Sequence, residues 1–350
     1  MVANAVRSTN GMPRPVVSTL EEVAARAGVS RSTASRAING GLRVSPEALA
    51  AVERAVADLG YTPNRAARSL VTRRTDSIAL VVPEPDERVL TDPFFAGVLS
   101  GVSASLADSD IQVVLVIARP GQAQRTARYL RNGHVDGAIV VSHHRDDELD
   151  RTLAGVHLPS VFVGRPLAAN GEADLGLQYV DSDNVEGGRL ATQRLIGLGR
   201  RRIATIAGPQ DMSAGVDRLI GWRAAMRDAG LTDDAVVYGD FTIAGGAGAT
   251  RLLLQAHPDL DGIFVASDLM ASGALTVLAE SGRTVPDDVA VVGYDNSAIA
   301  ASTTPPLTSV VQPVVAMARA AGLRLLDQLQ GAAPSAPLIF APELVVRASA

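Results

Sequence analysis

From Asp76 onward the chain repeats one pattern: a short run rich in Val, Ile and Ala, then a longer stretch with apolar residues at helical spacing. The runs are Ile78–Val82, Gln112–Ile117, Gly137–Val141, Ser160–Val163, Ile203–Ala207, Gly262–Ala266 and Val289–Gly293. The longer stretches include Ala96–Leu106, Gly187–Leu198, Arg218–Ala229 and Leu269–Glu280. Runs apolar on both sides fit strands covered on both faces. Their alternation with helices points to doubly wound parallel α/β sheets. The 275 residues concerned are many for one such sheet, so two lobes with a cleft are expected.

In sheets of this kind ligands sit beyond the carboxyl ends of the strands. The sequence places Asp92-Pro93-Phe94-Phe95, Gly164-Arg165-Pro166, Gly239-Asp240-Phe241, Ser267-Asp268 and Tyr294-Asp295-Asn296 there. Aromatic rings beside Asp and Arg suit a sugar: the rings stack on its C–H faces and the charged groups pair with neighbouring hydroxyls. Trp222 lies on a helix, as core packing or as a further stacking platform.

The N-terminal block follows a different rule. Thr19-Leu20-Glu21-Glu22 fits a capping box, and Leu20, Val23, Ala24 and Ala27 follow at helical spacing. Gly28 stops that helix, and Ser30 caps a second, Arg31–Asn39, whose inward stripe is Ala34, Ala37 and Ile38. Ser45-Pro46-Glu47 starts a third, with Leu49, Val52, Val56 and Leu59 as its core face and Gly60 at its end. Three short helices with a Gly turn between the first two make a helix-turn-helix head, or else a plain three-helix packing unit. The outer face of the second helix is short, polar and rich in donors, which suits base edges and phosphates. Asn64–Leu70 is too short to be a stable helix alone in water. It is either a surface linker or a segment that orders on a minor groove and wedges Leu70 between base steps.

Charge follows the same division. Residues 1–74 hold 11 Arg and 5 acidic residues, a net of +6, and the rest holds 21 Arg and 32 acidic residues, a net of −11. The chain has no Lys. A basic block on an acidic body fits a polyanion-binding module joined to something else, or a solvated basic face.

Other chemistries are poorly supported. Without Cys there is no disulfide, thiol nucleophile or thiolate metal site, and without Lys there is no phosphate-loop signature. No Gly-x-Ser-x-Gly elbow occurs, and Gly246-Ala247-Gly248 lacks the full dinucleotide spacing. Adjacent His143 and His144 rarely chelate one ion, so they read as a solvated loop. No run reaches 18 apolar residues, and residues 1–17 lack the apolar segment of a secretory signal. The expectation is therefore a cytoplasmic protein with no membrane span, no metal and no cofactor, and not an enzyme. A secreted sugar-binding protein would share the two-lobed body but needs a signal and no basic head.

The stretches LEEVAARAGVSRSTASRAING and LGYTPNRAARSL, with DPFFAGVLSGV, HVDGAIVVS, YVDSDNVEGGRLATQRLIGLG, GIFVASDLMASGAL, VPDDVAVVGYDN and PPLTSVVQP, resemble the LacI/GalR family of bacterial repressors over Leu20–Arg347. ARSLVTRRTDSIALVVPEP and ATIAGPQDMSAGVDRL further resemble its cellobiose-responsive CelR/CebR-like members.

The resemblance implies a periplasmic-binding-protein-like body with an all-α head. The divisions expected are a flexible tail over 1–17, the head over 18–62, a hinge helix and linker over 63–75, and the body over 76–350. Within the body, lobe 1 takes about 76–179 and 311–338, and lobe 2 about 180–310 and 339–350. Arg31, Ser32 and Arg36 fall on base-reading positions, and Ser30, Thr33, Ser35 and Asn39 on supporting and phosphate contacts, with Thr19 beside them. Asn64, Arg65, Ala67 and Leu70 fall on the hinge. Phe94, Phe95, Arg218, Phe241, Ser267, Asp268 and Asp295 fall on effector positions, to which the loop residues Arg165 and Asp240 and the helical Trp222 are added. Gly164 and Ser267 stand where the family commonly has Asp and Asn, which enlarges the pocket and favours a disaccharide. The implied function is repression of sugar-utilisation genes by a homodimer on a pseudo-palindromic operator, released by cellobiose or a related oligosaccharide. The alternative is a regulator of another pathway that uses a different sugar or a corepressor.

Overall fold

The computed structural model describes residues 18–39, 44–62, 74–119, 121–145, 153, 155, 158–167 and 177–350, and it divides into two units at Thr75 and Asp76. The expected tail over 1–17 and Asn64, Arg65, Ala67 and Leu70 lie outside the described residues.

The first unit holds α1 (Leu20–Ala27), α2 (Arg31–Ile38) and α3 (Pro46–Leu59). The capping box forms: Glu22 N–H donates to Thr19 Oγ1, and Thr19 N–H donates to Glu22 Oε2. Gly28, at φ 66°, ends α1 in the left-handed conformation that glycine adopts without a steric penalty. Val23, Ala24, Ala34, Val52 and Ala55 form the small core. Leu49, expected in that core, is 38% exposed. The 14-residue α3 is about 21 Å long and its eight-residue partners about 12 Å, so they cover only part of it.

The second unit contains two six-stranded sheets. The first is built from β1 (Ser77–Val82), β2 (Gln112–Ile117), β3 (Gly137–Val141), β4 (Ser160–Val163), β5 (Gln178–Ser182) and β11 (Leu338–Phe340), in the order β11-β5-β4-β3-β1-β2, all parallel. Its helices are α4 (Asp86–Thr91), α5 (Pro93–Ser105), α6 (Ala123–Arg131) and α12 (Val314–Leu329). The second holds β6 (Ile203–Ala207), β7 (Val236–Tyr238), β8 (Gly262–Val265), β9 (Ala290–Asp295), β10 (Thr308–Val311) and β12 (Glu343–Val345), in the order β12-β10-β9-β8-β6-β7. Only its edge strand β12 runs antiparallel. With it go α7 (Asn184–Gly197), α8 (Ser213–Asp228), α9 (Ile243–Ala256), α10 (Asp268–Glu280) and α11 (Ala298–Ser302).

Each sheet has an apolar cluster on both faces, as the runs without alternation imply. The exception is β2, an edge strand with Leu115 45% exposed. Three segments join the sheets: between β5 and α7, between β10 and α12, and between β11 and β12. The first sheet thus reaches Ser182 and Phe340, a few residues past the expected 179 and 338.

Two glycines bring α7 and α8 together. A Cβ at Gly188 would strike the carbonyl of Arg218, and one at Gly221 would strike that of Val185. This close approach fixes the part of α8 from which Arg218 projects.

Candidate functional site

The strand ends of the two sheets face one another across a cleft of about 730 Å³, its open mouth included. The first sheet's side supplies Arg88, Asp92, Phe94, Ser142, Arg165 and Asp181, and the second supplies Ser213, Arg218, Phe241, Ser267 and Asp295. Gln312, in the joint between β10 and α12, lines it as well.

Arg218 is 3% exposed and held on every side. Its Nε donates to Asn184 Oδ1 at 3.0 Å, Nη1 to the Ala266 carbonyl at 2.6 Å and Nη2 to Gln312 Oε1 at 2.7 Å. The guanidinium lies 3.6 Å from the Tyr294 ring centroid, and Asp295 Oδ1 is 3.5 Å from Nη1. A buried charge held so completely is a rigid donor, because no rotamer freedom remains to be lost on binding.

Burial pushes the Asp295 carboxyl well above the ordinary range; Arg218 pulls it back, and Asp268 and Asp92 add to the rise. The 27% of the Asp295 side chain that is exposed opens on the cleft. Burial likewise raises Asp181 and Asp92, against hydrogen bonds from backbone N–H groups. Carboxyls of this kind accept hydroxyl hydrogen bonds when ionised and donate when protonated.

Phe241 sits between two cations, with Arg88 and Arg218 at 5.7 and 5.8 Å from its ring centroid. It also has φ 63°, a strained value for a bulky residue. Ser142 (φ 53°) and Asp295 (φ 107°), both in the lining, share this left-handed backbone, as does the adjacent Asn296 (φ 49°). Strain held at one place by the surrounding structure is a mark of functional sites.

The expected Arg165 reaches the cleft, but its guanidinium is engaged. Nη2 donates to both carboxylate oxygens of Asp217 at 2.8 Å, its N–H donates to Asp181, and its carbonyl accepts from Ser213 Oγ at 2.6 Å. Arg165 therefore fastens the first sheet to α8.

In the head, Ser30 Oγ accepts from Thr33 N–H at 3.1 Å and bonds the hydroxyls of Ser32 and Thr33. Arg31 pairs with Glu21 at 2.8 Å in solvent, and Arg36 Nε donates to the Ser32 carbonyl. Asn39 Nδ2 donates to the Ser35 carbonyl. Arg31, Ser32, Arg36 and Asn39 are all exposed, and α2 has no acid in its first turn. The face is a row of donors on a helix whose N-terminus attracts phosphate.

A family model described as bacterial regulatory proteins, lacI family, matches residues 19–64, and one described as a periplasmic binding protein-like domain matches residues 192–350. The chain is 51% identical over 335 residues to the HTH-type transcriptional regulator CelR of Thermobifida fusca, covering 95% of this chain and 98% of that one. The chain belongs to the LacI family of bacterial transcription regulators.

The family extends to the ribose operon repressor of Escherichia coli K12, 36% identical over 85% of this chain and 88% of that one. Among solved structures, a complex of the transcriptional regulator CelR with cellobiose superposes with a TM-score of 0.76 at 48% identity, over 95% of this chain and 100% of that one. A lac repressor dimer bound to operator and the anti-inducer ONPF superposes with a TM-score of 0.81 at 26% identity, over 95% and 99%. These relatives are regulators rather than enzymes. Among the described residues of this LacI-family chain, no helix is long and apolar enough to cross a membrane, and no cluster of His, Asp and Glu is built to hold a metal.

Of the residues expected around the LacI-family effector, Phe94, Arg165, Arg218, Phe241, Ser267 and Asp295 line the cleft. Four do not. Phe95 turns into the core of the first sheet, edge-on to Phe94. Trp222 is fully buried between sheet and helices, because Gly221 draws α8 onto α7. Asp240 is exposed and bonds Thr242 at the start of α9. Asp268 is fully buried behind the wall, where Ser309 Oγ and the N–H of Ser297 donate to it at 2.6 and 2.7 Å. Arg88, Ser142, Asp181 and Gln312 were not anticipated. Ser142, Asp181 and Gln312 could have been found from their places at or just past strand ends; Arg88 has no such signal.

Proposed function

We propose that this protein is a cytoplasmic, sugar-responsive repressor whose homodimer holds a pseudo-palindromic operator until a cellobiose-like sugar enters the cleft of each body. The reading rests on one observation: two aromatic rings, Phe94 and Phe241, line the same cleft as a fixed Arg218–Asp295 pair in a chain 51% identical to CelR. Rings and paired charges are the groups that bind the C–H faces and adjacent hydroxyls of a sugar. In this reading Arg31, Ser32 and Arg36 read bases, with Ser30, Thr33, Ser35 and Asn39 in support. Asn64, Arg65, Ala67 and Leu70 order on the minor groove between half-sites, on the strength of the sequence resemblance. The lobes are the two sheets with their helices, and the three joints transmit the change. Effector and operator then oppose each other through a reciprocal coupling of typically about 1–3 kcal/mol.

The test selects operator sequences from random duplexes with the full chain and follows release by anisotropy. Cellobiose should release the wild type, and ribose and galactose should not. Asp295→Ala should keep operator affinity and lose the cellobiose response. Release by ribose alone would move the effector to the sugar of the ribose operon relatives. No release by any sugar, or an unaltered response in Asp295→Ala, would overturn the assignment.

A further inference from the structure

The loop after β3 carries a second contact between the lobes, besides that of Arg165. His144 Nδ1 lies 2.7 Å from Asp211 Oδ2, and Nε2 lies 3.1 Å from Glu84 Oε1. Glu84 follows β1 and His144 follows β3, both in the first sheet, whereas Asp211 follows β6 in the second. The same loop is fastened twice more: Arg145 N–H donates to the Asp211 carbonyl at 2.8 Å, and its Nη2 donates to the Gln210 carbonyl at 2.9 Å.

We propose that His144, as an imidazolium held between Glu84 and Asp211, is a positioning residue that sets how firmly the two lobes close on the effector. The inference rests on the cleft being the effector site. Its chemical basis is the proton count. Two carboxylates supply acceptors only, so both ring nitrogens must carry hydrogen, and a neutral imidazole has one. Glu84 is 3% exposed, and a buried carboxylate requires compensating cations and donors. It has three partners on one oxygen: His144, Arg88 Nη1 at 2.8 Å and Ser142 Oγ at 2.5 Å. Burial works against the charge on His144, but the two carboxylates outweigh it and raise the imidazolium to about 9.

Position gives the bridge its effect. Ser142 lines the cleft two residues before His144, and Met212 and Ser213 line the opposite wall directly after Asp211. The bridge therefore ties one wall to the other beside the site. Contacts made only when the lobes are together raise the population of the binding-competent state, and apparent affinity scales with that population. Loss of the proton removes one of the two hydrogen bonds and the charge that draws Asp211 toward the first sheet, which weakens the tie while the Arg145 and Arg165 contacts remain.

The absence of Cys from the chain permits clean labelling. Exposed Gln124 on α6 and Leu252 on α9 are replaced by Cys and labelled in the full chain, and energy transfer is read without ligand at pH 7 and pH 10. Transfer should fall between pH 7 and pH 10, and it should be low at both in His144→Ala and in Asp211→Asn. The second variant keeps an acceptor on a half-exposed side chain, so it guards against misfolding of the first. Calorimetry with cellobiose should show binding at least fivefold weaker in either variant at pH 7, with the wild type approaching them at pH 10. Unchanged transfer in both variants, or pH dependence equal in variants and wild type, would overturn the proposal. If cellobiose binds none of the proteins, the sugar reading fails, and the ligand-free transfer still decides the role of His144.

Discussion

Asp268 shows how a residue outside a site can govern one inside it. Burial raises its carboxyl to about 6, against hydrogen bonds from Ser309 and Ser297 and the charge of Arg347. Its charge in turn adds to the rise at Asp295. A carboxyl that binds its proton more tightly folded than unfolded favours the folded state at low pH. That contribution is full below about 3.8 and is lost as pH rises through about 6. Asp268→Asn keeps acceptors and donors for its serine partners and removes the charge. Relative to wild type it should therefore be more stable at pH 7 than at pH 4, by about 1–3 kcal/mol. Thermal melts of both proteins across that range test this, and parallel curves would refute it. Such a residue has no signature in sequence: Ser267-Asp268 at a strand end reads equally as lining or as support, and only the neighbouring Ser309, 41 positions away, decides.

At the scale of elements, the head was the most legible part of the chain. Its starts and stops are local chemistry, and Thr19, Ser30, Ser45, Gly28 and Gly60 act as caps where their types predict. The cap at Ser30 also carries the hydroxyl chain at the front of α2. Ser30→Ala should cost the head about 1 kcal/mol and weaken operator binding, and Ser30→Asp should recover the stability while repelling phosphate. Melts of the full chain and anisotropy on operator separate the two effects; equal losses in both variants would show that the hydroxyl does more than cap. The strands were legible where the run is continuously apolar, the edge strand β2 included. β5 and β10 were missed because Asp181 and Ser182 in one and Thr308 and Ser309 in the other interrupt their apolar character, and β7, β11 and β12 because three-residue edge strands carry too little pattern. The four body helices named from the sequence form but begin earlier than expected: α8 starts at Ser213 rather than Arg218, since its first turn faces the cleft and is polar and small.

For the whole molecule, the alternation of runs and helices indicated two parallel sheets, but not which strand ends would face each other. The contacts that close the cleft join residues far apart in sequence, such as Arg165 with Asp217 and Arg218 with Gln312. The joints have a consequence for biosynthesis. The first sheet is completed by β11 and covered by α12, both made after the whole of β6–β10. The second is completed by β12, later still. Neither lobe is a contiguous length of polypeptide, so neither can finish until residues 311–350 have left the ribosome. Nascent chains halted at residue 312 should be cut by protease throughout the body, whereas the head, whose core is complete by Tyr61, should survive as a resistant fragment. A protected first lobe in those chains would mean that β1–β5 suffice without α12. The segment after β10 is then the one that commits the ligand-sensing half of the molecule, long after its DNA-reading half is able to act.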